Sequence, residues 1–364
     1  MRLAGLDAWT RVAAAGWAVT ALLLLAMPAF AQRVEGDRAA AEGVYEAEVP
    51  VRSQAESERE AGFARALAQV LGKLSGDRSV SARPGVGQEL RRAKDYVKGY
   101  DYRQDESVGA SGAPTFNTTL VVRFEPEAVD TVVAALGLPL WPQPRPKPVL
   151  WLAIDDGRGP RLVGLQHNNV ARPVLQRAID RGYRLGLPAG NAAEQAAVGA
   201  IWRGDTGAIA RLSARYQPPM QLIGKLYRSG DGWTADWIFV DNGRVLSRWS
   251  ESGADARRTM LTGADGAADA LIRRYAKASS AAAPSSERVV FTGIRSGGDY
   301  LRLATALQRM SVVRAIRPAR ASGDRLEVEL DLLTGLPGFR RTVDADTLVE
   351  VDGGESAPPV YLLR

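Results

Sequence analysis

Two stretches of the chain read as linkers rather than as helices or strands, and they limit what the rest can build. "GLPLWPQPRPKP", residues 137–148, carries five prolines. Such a run has no helix or central strand open to it and is expected to be an extended, semi-rigid spacer. "ASSAAAPSSE", residues 278–287, is small and polar. Together they divide a 364-residue chain into blocks at 43–136, 149–278 and 287–364, with linkers at 137–148 and 279–286. Each block is long enough for a core of its own. The expected class is α+β with an α/β middle block, three small modules of helices packed on mixed or antiparallel sheets.

The first block reads β-α-α-β-β-α. Its clearest element is "SQAESEREAGFARALAQVLGKLSG", residues 53–76. Ser53-x-x-Glu56 has the spacing of a capping box, and early glutamates suit the positive end of the helix dipole. Phe63, Leu67, Val70, Leu71 and Leu74 recur at three and four, giving one apolar face. Arg65, Gln69 and Lys73 fall on another, and Gly76 offers a C-terminal stop. "VKGYDYRQDES" and "TFNTTLVVRFEP" read as an antiparallel pair.

In the second block "VLWLAID" is a buried strand, followed by a turn at "DGRGP". Helices around "VARPVLQRAIDRG" and "GDTGAIARLSARY" enclose a short strand "YRLGLP". "PMQLIGKLYRS", "GWTADWIFVD" and "GRVLSRWSES" form a meander, because Gly230-Asp231-Gly232 and Asp241-Asn242-Gly243 are tight-turn sequences. A long helix from about Asp255 closes the block. The third block reads β-α-β-β-α-β. "DYLRLATALQRM" is its clearest helix, "DRLEVELDLL" alternates strictly, and "YLLR" is expected to be an edge strand or a tail.

The N-terminus differs from the rest. Arg2 and Arg11 precede an apolar run, and Ala29-Phe30-Ala31 follows with small-x-small spacing. This is the pattern of a cleavable export signal over 1–31, with the mature chain starting near Gln32. The expected location is the periplasm; the alternative is an uncleaved anchor in the inner membrane. The chain contains no cysteine, which excludes disulfides, thiolate metal sites and an acylated lipoprotein cysteine.

Motifs for chemistry are scarce. With His167 as the sole histidine, two-histidine metal sites are excluded, and neither a nucleophile elbow nor a phosphate loop is present. No cofactor and no enzymatic activity are expected. The acid pair Asp155-Asp156 ends a buried strand, where open α/β sheets place ligands. With Trp233 and Trp237 on the meander it forms a candidate ligand corner; turn formation and core packing are the bland readings of the same residues. A metal-assisted hydrolase at that corner is a third reading. The net charge of +6 is small, but residues 288–325 hold eight arginines against Asp299 and Asp324. Arg302, Arg309, Arg314, Arg317 and Arg320 therefore form a candidate interaction surface for acidic partners, anionic lipid or wall polymer. Nucleic acid is not an expected partner.

"YEAEVPV", "REAGFARALAQVLGKLSG" and "VRFEPEAVDTVVAALGLPLW", continued by "RPKPVLWLAIDDG", "IARLSARYQPPMQLIGKL" and "DGWTADWIFVDNG", resemble the DUF2066 family of exported proteobacterial proteins. Pro218-Pro219 departs from the small residues expected at that point. The middle block is also similar to the N-terminal domain of the periplasmic TolB protein and to curli-secretion lipoprotein domains. The outer blocks resemble flagellar assembly protein T and POTRA modules. These likenesses imply protein partners in the envelope and no catalytic residues. The function expected is a non-enzymatic adaptor or scaffold in envelope assembly, with exposed sheet edges accepting partner strands; the alternative is a small-molecule or wall-glycan binding protein.

Overall fold

A computed structural model describes residues 43–108, 114–217, 220–277, 282–351 and 358–364. The expected export signal at 1–31, the Pro218-Pro219 pair and the beginning of the second linker lie outside the described residues. Among the described residues thirteen strands form three sheets, and the fold is mixed α+β.

The first module runs β1 (Glu46–Val51), α1 (Glu56–Ser75), α2 (Val86–Arg91), β2 (Val97–Val108), β3 (Pro114–Phe124) and α3 (Pro126–Ala135), with an antiparallel sheet ordered β1-β3-β2. The apolar stripe of α1 is buried as its spacing requires, against Leu120, Val122 and Phe124 of β3. Gly76 closes α1 in the left-handed conformation, its amide donating to the Gly72 carbonyl at 2.8 Å. One expectation for α1 fails. The N-cap is Ala55 and no side chain caps it, so Ser53 and Glu56 do not form a capping box. Ser53 Oγ accepts from the Ala55 amide at 3.4 Å, which turns the chain before the helix begins. Lys73 is buried, not solvated: its Nζ donates to the carbonyls of Glu46 at 2.7 Å and Gly43 at 3.3 Å. Burial lowers its pKa.

The second module runs β4 (Val149–Asp155), β5 (Arg161–Val163), α4 (Asn168–Asp180), α5 (Ala192–Gln195), α6 (Val198–Arg203), α7 (Thr206–Ser213), β6 (Met220–Ser229), β7 (Gly232–Asp241), β8 (Arg244–Gly253) and α8 (Ala256–Tyr275). Its sheet is ordered β5-β4-β6-β7-β8, with β4 and β6 parallel and the meander antiparallel. Both faces of the sheet are covered. Leu150, Leu152, Leu222, Trp237 and Phe239 meet α4 and α8, while Trp151, Ala153 and Ile223 meet α6 and α7. This explains why β4 reads as a continuous apolar run. The short strand expected at 183–188 amounts to one parallel bridge between Val149 and Gly186.

The third module runs β9 (Ser285–Thr292), α9 (Gly297–Arg309), β10 (Val313–Ser322), β11 (Arg325–Leu332), α10 (Gly335–Thr342), β12 (Leu348–Val351) and β13 (Val360–Leu363). The order is β10-β11-β9-β13-β12. "YLLR" is therefore neither an edge nor a tail: β13 lies inside the sheet, parallel to β9 and antiparallel to β12. Tyr361 and Leu363 turn inward with Phe291 and Phe339, which supplies the burial that fixes it there.

The proline-rich stretch is not a free spacer. Trp141 and Arg145 are buried, and Arg145 donates to the carbonyls of Gly182 at 2.6 Å and Trp141 at 2.7 Å. Its guanidinium lies 4.0 Å from the Trp141 ring, and desolvation lowers its pKa to about 9. The Trp141 amide donates to the Leu74 carbonyl at the end of α1. Arg78 then reaches Asp269 of α8 at 2.9 Å, beside the Arg181 pairs to Asp265 and Asp269 at 2.8 and 2.7 Å. The first module is thus tied to the second by polar contacts through and beyond the prolines.

Candidate functional site

The first and third modules also meet, and a cleft of about 750 Å³ opens along their junction. One side comes from the segment 89–95, which includes Glu89, Arg92 and Asp95; the other comes from α9 and the residues after it. The junction is close-packed. The Thr334 hydroxyl donates to the Ala135 carbonyl at 2.6 Å, and Arg341 donates to the Ala134 carbonyl at 3.3 Å. Gly85, with φ of 82°, sits where a Cβ would come within 2.6 Å of both Leu136 and the Ser311 carbonyl. Only glycine combines that backbone with so close an approach.

Helix α9 supplies the cleft's chemistry through its amphipathic spacing. Leu303 and Leu307 point into the core, which turns Leu301, Arg302, Thr305 and Arg309 outward. Leu301 is 65% exposed, an unusual state for a large apolar side chain on a helix with a well-formed buried face. Ser296 caps the helix by accepting from the Asp299 amide at 3.2 Å. Asp299 in turn accepts from Arg302 at 2.7 Å, from the Ser296 hydroxyl at 2.9 Å and from the Arg295 amide at 3.0 Å. These bonds, that from Arg302 foremost, hold its carboxyl down to about 2.

The charges bordering the cleft divide into engaged and free. Arg92 pairs with Asp95 at 3.4 Å. Glu89 is buried and accepts a short hydrogen bond from the Tyr96 hydroxyl. Asp344 accepts from the Thr347 hydroxyl at 2.9 Å and the Asp346 amide at 3.0 Å. The side chains of Arg309 and Asp346 form no ion pair among the described residues. Ser311 is 3% exposed and lines the same cleft, yet its Oγ has no hydrogen-bond partner. An unsatisfied buried hydroxyl is costly.

Of the five expected surface arginines, Arg302 and Arg309 line this cleft, whereas Arg314, Arg317 and Arg320 are carried by the edge strand β10. Arg314 lies 3.9 Å from Asp331 and Arg317 lies 3.5 Å from Glu329. Cross-strand pairing thus offsets much of the local excess counted over 288–325, since the acids Glu327, Glu329 and Asp331 follow just after that window. The edge of β10 is also a poor template for strand addition. It contains Pro318 and is irregular between Val313 and Ala315 and again between Pro318 and Arg320.

The four residues of the proposed ligand corner are not brought together. Asp155 Oδ1 accepts from the amides of Gly157 at 2.9 Å and Gly159 at 3.0 Å, the bonding of a turn. Asp156 accepts from the Arg158 amide and pairs with Arg161 at 2.8 Å. By strand alternation Asp155 shares the face of Trp151 and Ala153, whereas Trp233 and Trp237 share the opposite face with Ala235 and Phe239. Trp237 is in the core, stacked on Trp249 at 6.4 Å, and Trp233 lies under Arg228 at 4.8 Å. No group of three or more acidic or histidine side chains that could hold a metal ion occurs among the described residues. His167 is exposed at the end of a short 3-10 turn.

The cleft itself was not foreseen from sequence. Its two sides are separated by more than two hundred positions, and Arg302 and Arg309 on α9 are the lining residues that the arginine count over 288–325 singled out.

Residues 39–142 match the family model of a domain of unknown function (DUF8605). The match spans the first module and the start of the proline-rich stretch. It corrects the resemblance to DUF2066 and the looser envelope-domain likenesses drawn with it. Three of the segments behind that resemblance form β1, α1 and the end of β3 with α3, elements that unrelated α+β units can share, and the other three lie in the second module, outside the matched residues. No curated protein matches the chain.

Proposed function

We propose that this chain is an exported, non-enzymatic adaptor of the cell envelope that holds a peptide segment of a partner protein in the cleft between its first and third modules. The observation that carries the reading is the cleft on α9, where an exposed Leu301 stands with Arg309 and Asp346. Those groups suit a segment that brings an apolar side chain to Leu301, Ala306 and Met310. An acidic side chain would pair with Arg309 and a basic one with Asp346. Close packing at Thr334 and Gly85 supports the reading, because a preformed cleft avoids the cost of ordering two modules on binding. Export to the periplasm rests on the N-terminal pattern of basic residues, apolar run and Ala29-Phe30-Ala31.

An array of immobilised random decapeptides, probed with the full chain, tests this. The expected binders combine an apolar residue with an acidic one, and Leu301→Asp and Arg309→Glu each weaken their signal at least tenfold. Binders without that composition, or signals that neither variant changes, overturn the reading.

A further inference from the structure

A second groove, of about 440 Å³, lies on the second module between α6 and the strands β6, β7 and β8. It shares no residue with the junction cleft. Its apolar floor is made by Ile201, Ile223 and Ile238, and Trp202 stands half-buried at its side. Trp202 lies 6.2 Å from the ring of Tyr227, with the Lys225 ammonium 6.0 Å from Trp202 and 5.5 Å from Tyr227. The sheet face on which this happens is the one opposite the Trp237 core.

The charges in the groove are resolved by their hydrogen bonds. Asp236 accepts from Ser250 at 2.6 Å, pairs with Lys225 at 3.1 Å and accepts from the Tyr227 hydroxyl at 3.3 Å. Burial pushes the Asp236 carboxyl up, but these bonds outweigh it and hold the group below its usual range. Lys225 and Asp236 therefore cancel. Arg203 and Arg248 are exposed, and neither guanidinium makes a hydrogen bond or ion pair among the described residues. Arg248 reaches across from β8 toward the end of α6: a Cβ placed on Gly204 would stand 3.9 Å from its Nη1 and 3.2 Å from Ile238 Cδ1. Gly204, in the left-handed conformation, ends α6 and keeps that approach open. Asp205, next in the chain, is engaged by capping α7 through the Ala208 amide.

Two unpaired guanidiniums beside an apolar slot with an aromatic wall define a ligand. We propose that this groove binds an organic oxyanion, a carboxylate or phosphate monoester, carried on a flat apolar body of about ring size. Arg203 and Arg248 take the anion in charge-assisted hydrogen bonds, and the body rests on Ile238 beside Trp202. The slot's volume is within the range of small-molecule sites, about 300–1,000 Å³. Asp155, Asp156 and Trp233 do not line the groove, and Trp237 borders it from its place on β7 with its ring in the opposite core.

The full chain titrated with 1-naphthoate, 1-naphthyl phosphate and neutral 1-naphthol, followed by calorimetry, tests the proposal. The two anions separate the carboxylate from the phosphate source, and the neutral compound isolates the apolar contribution. Binding of at least one anion, tenfold or more tighter than 1-naphthol and weakened tenfold or more in Arg203→Gln/Arg248→Gln, is the expected result. Arg273→Gln, on the exposed side of α8 at the opposite face of the sheet, serves as the control and is expected to leave anion affinity within threefold. Equal affinity for 1-naphthol, no binding by either anion, or anion binding that survives in a folded double variant overturns it.

Discussion

The Thr334 hydroxyl donates to the carbonyl of Ala135 at 2.6 Å, joining the turn before α10 to the last residue of α3 across 199 positions of chain. Both partners are buried, and Ala135 belongs to the core of the third module although it ends a helix of the first. The two outer modules are therefore one packed unit at this point, and the cleft beside it inherits a fixed width.

Removing that hydroxyl isolates its contribution. Thr334→Val keeps the shape and leaves the Ala135 carbonyl without its partner, so we expect a loss of about 1–3 kcal/mol. Chemical denaturation of the full chain measures it. An unchanged midpoint would mean that the contact does not hold the junction.

The Asp299 carboxyl is expected to titrate near 2, below its ordinary value of 3.8. Its folded pKa is depressed, so the stabilisation from its bonds is complete above the unfolded value and fades as pH falls through about 2. Carboxyl-detected NMR follows the titration directly. Arg302→Gln should move the midpoint upward, because the Arg302 hydrogen bond is the largest cause of the shift. A midpoint that stays put in the variant would place the cause in the cap alone.

Trp237 is wedged between two glycines. A Cβ on Gly224 would fall 2.1 Å from its ring and one on Gly263 would fall 2.5 Å from it. Gly224→Ala should cost about 1–3 kcal/mol through overpacking, with a changed near-ultraviolet dichroism from the Trp237–Trp249 stack. A neutral substitution would show that the ring has room, and so that this side of the sheet is not a tight core.

Much of this architecture was legible in the sequence, and the failures have local causes. The stripe Phe63, Leu67, Val70, Leu71 and Leu74 and the turn at Asp241-Asn242-Gly243 announce their elements because the forces involved act within a few residues. β5 escaped because three residues carry no period, and the capping box failed because the helix starts at Glu56. The run around Arg145 reads as an extended spacer, because its partner carbonyls on Gly182 and Trp141 come from folding, not from spacing. The arginines of 288–325 looked unbalanced because cross-strand acids are invisible in a linear window. The junction cleft and the Trp202 groove combine residues far apart in sequence, so neither had a motif to find.

In-cell photo-crosslinking from position 305 tests the adaptor account most directly, with the exposed Leu165 of the second module as the control position. The account predicts discrete protein adducts from position 305, none of the same adducts from position 165, and their loss when Arg309→Glu is added. Identical adducts from both positions, or adducts from position 305 that persist with Arg309→Glu, would contradict it.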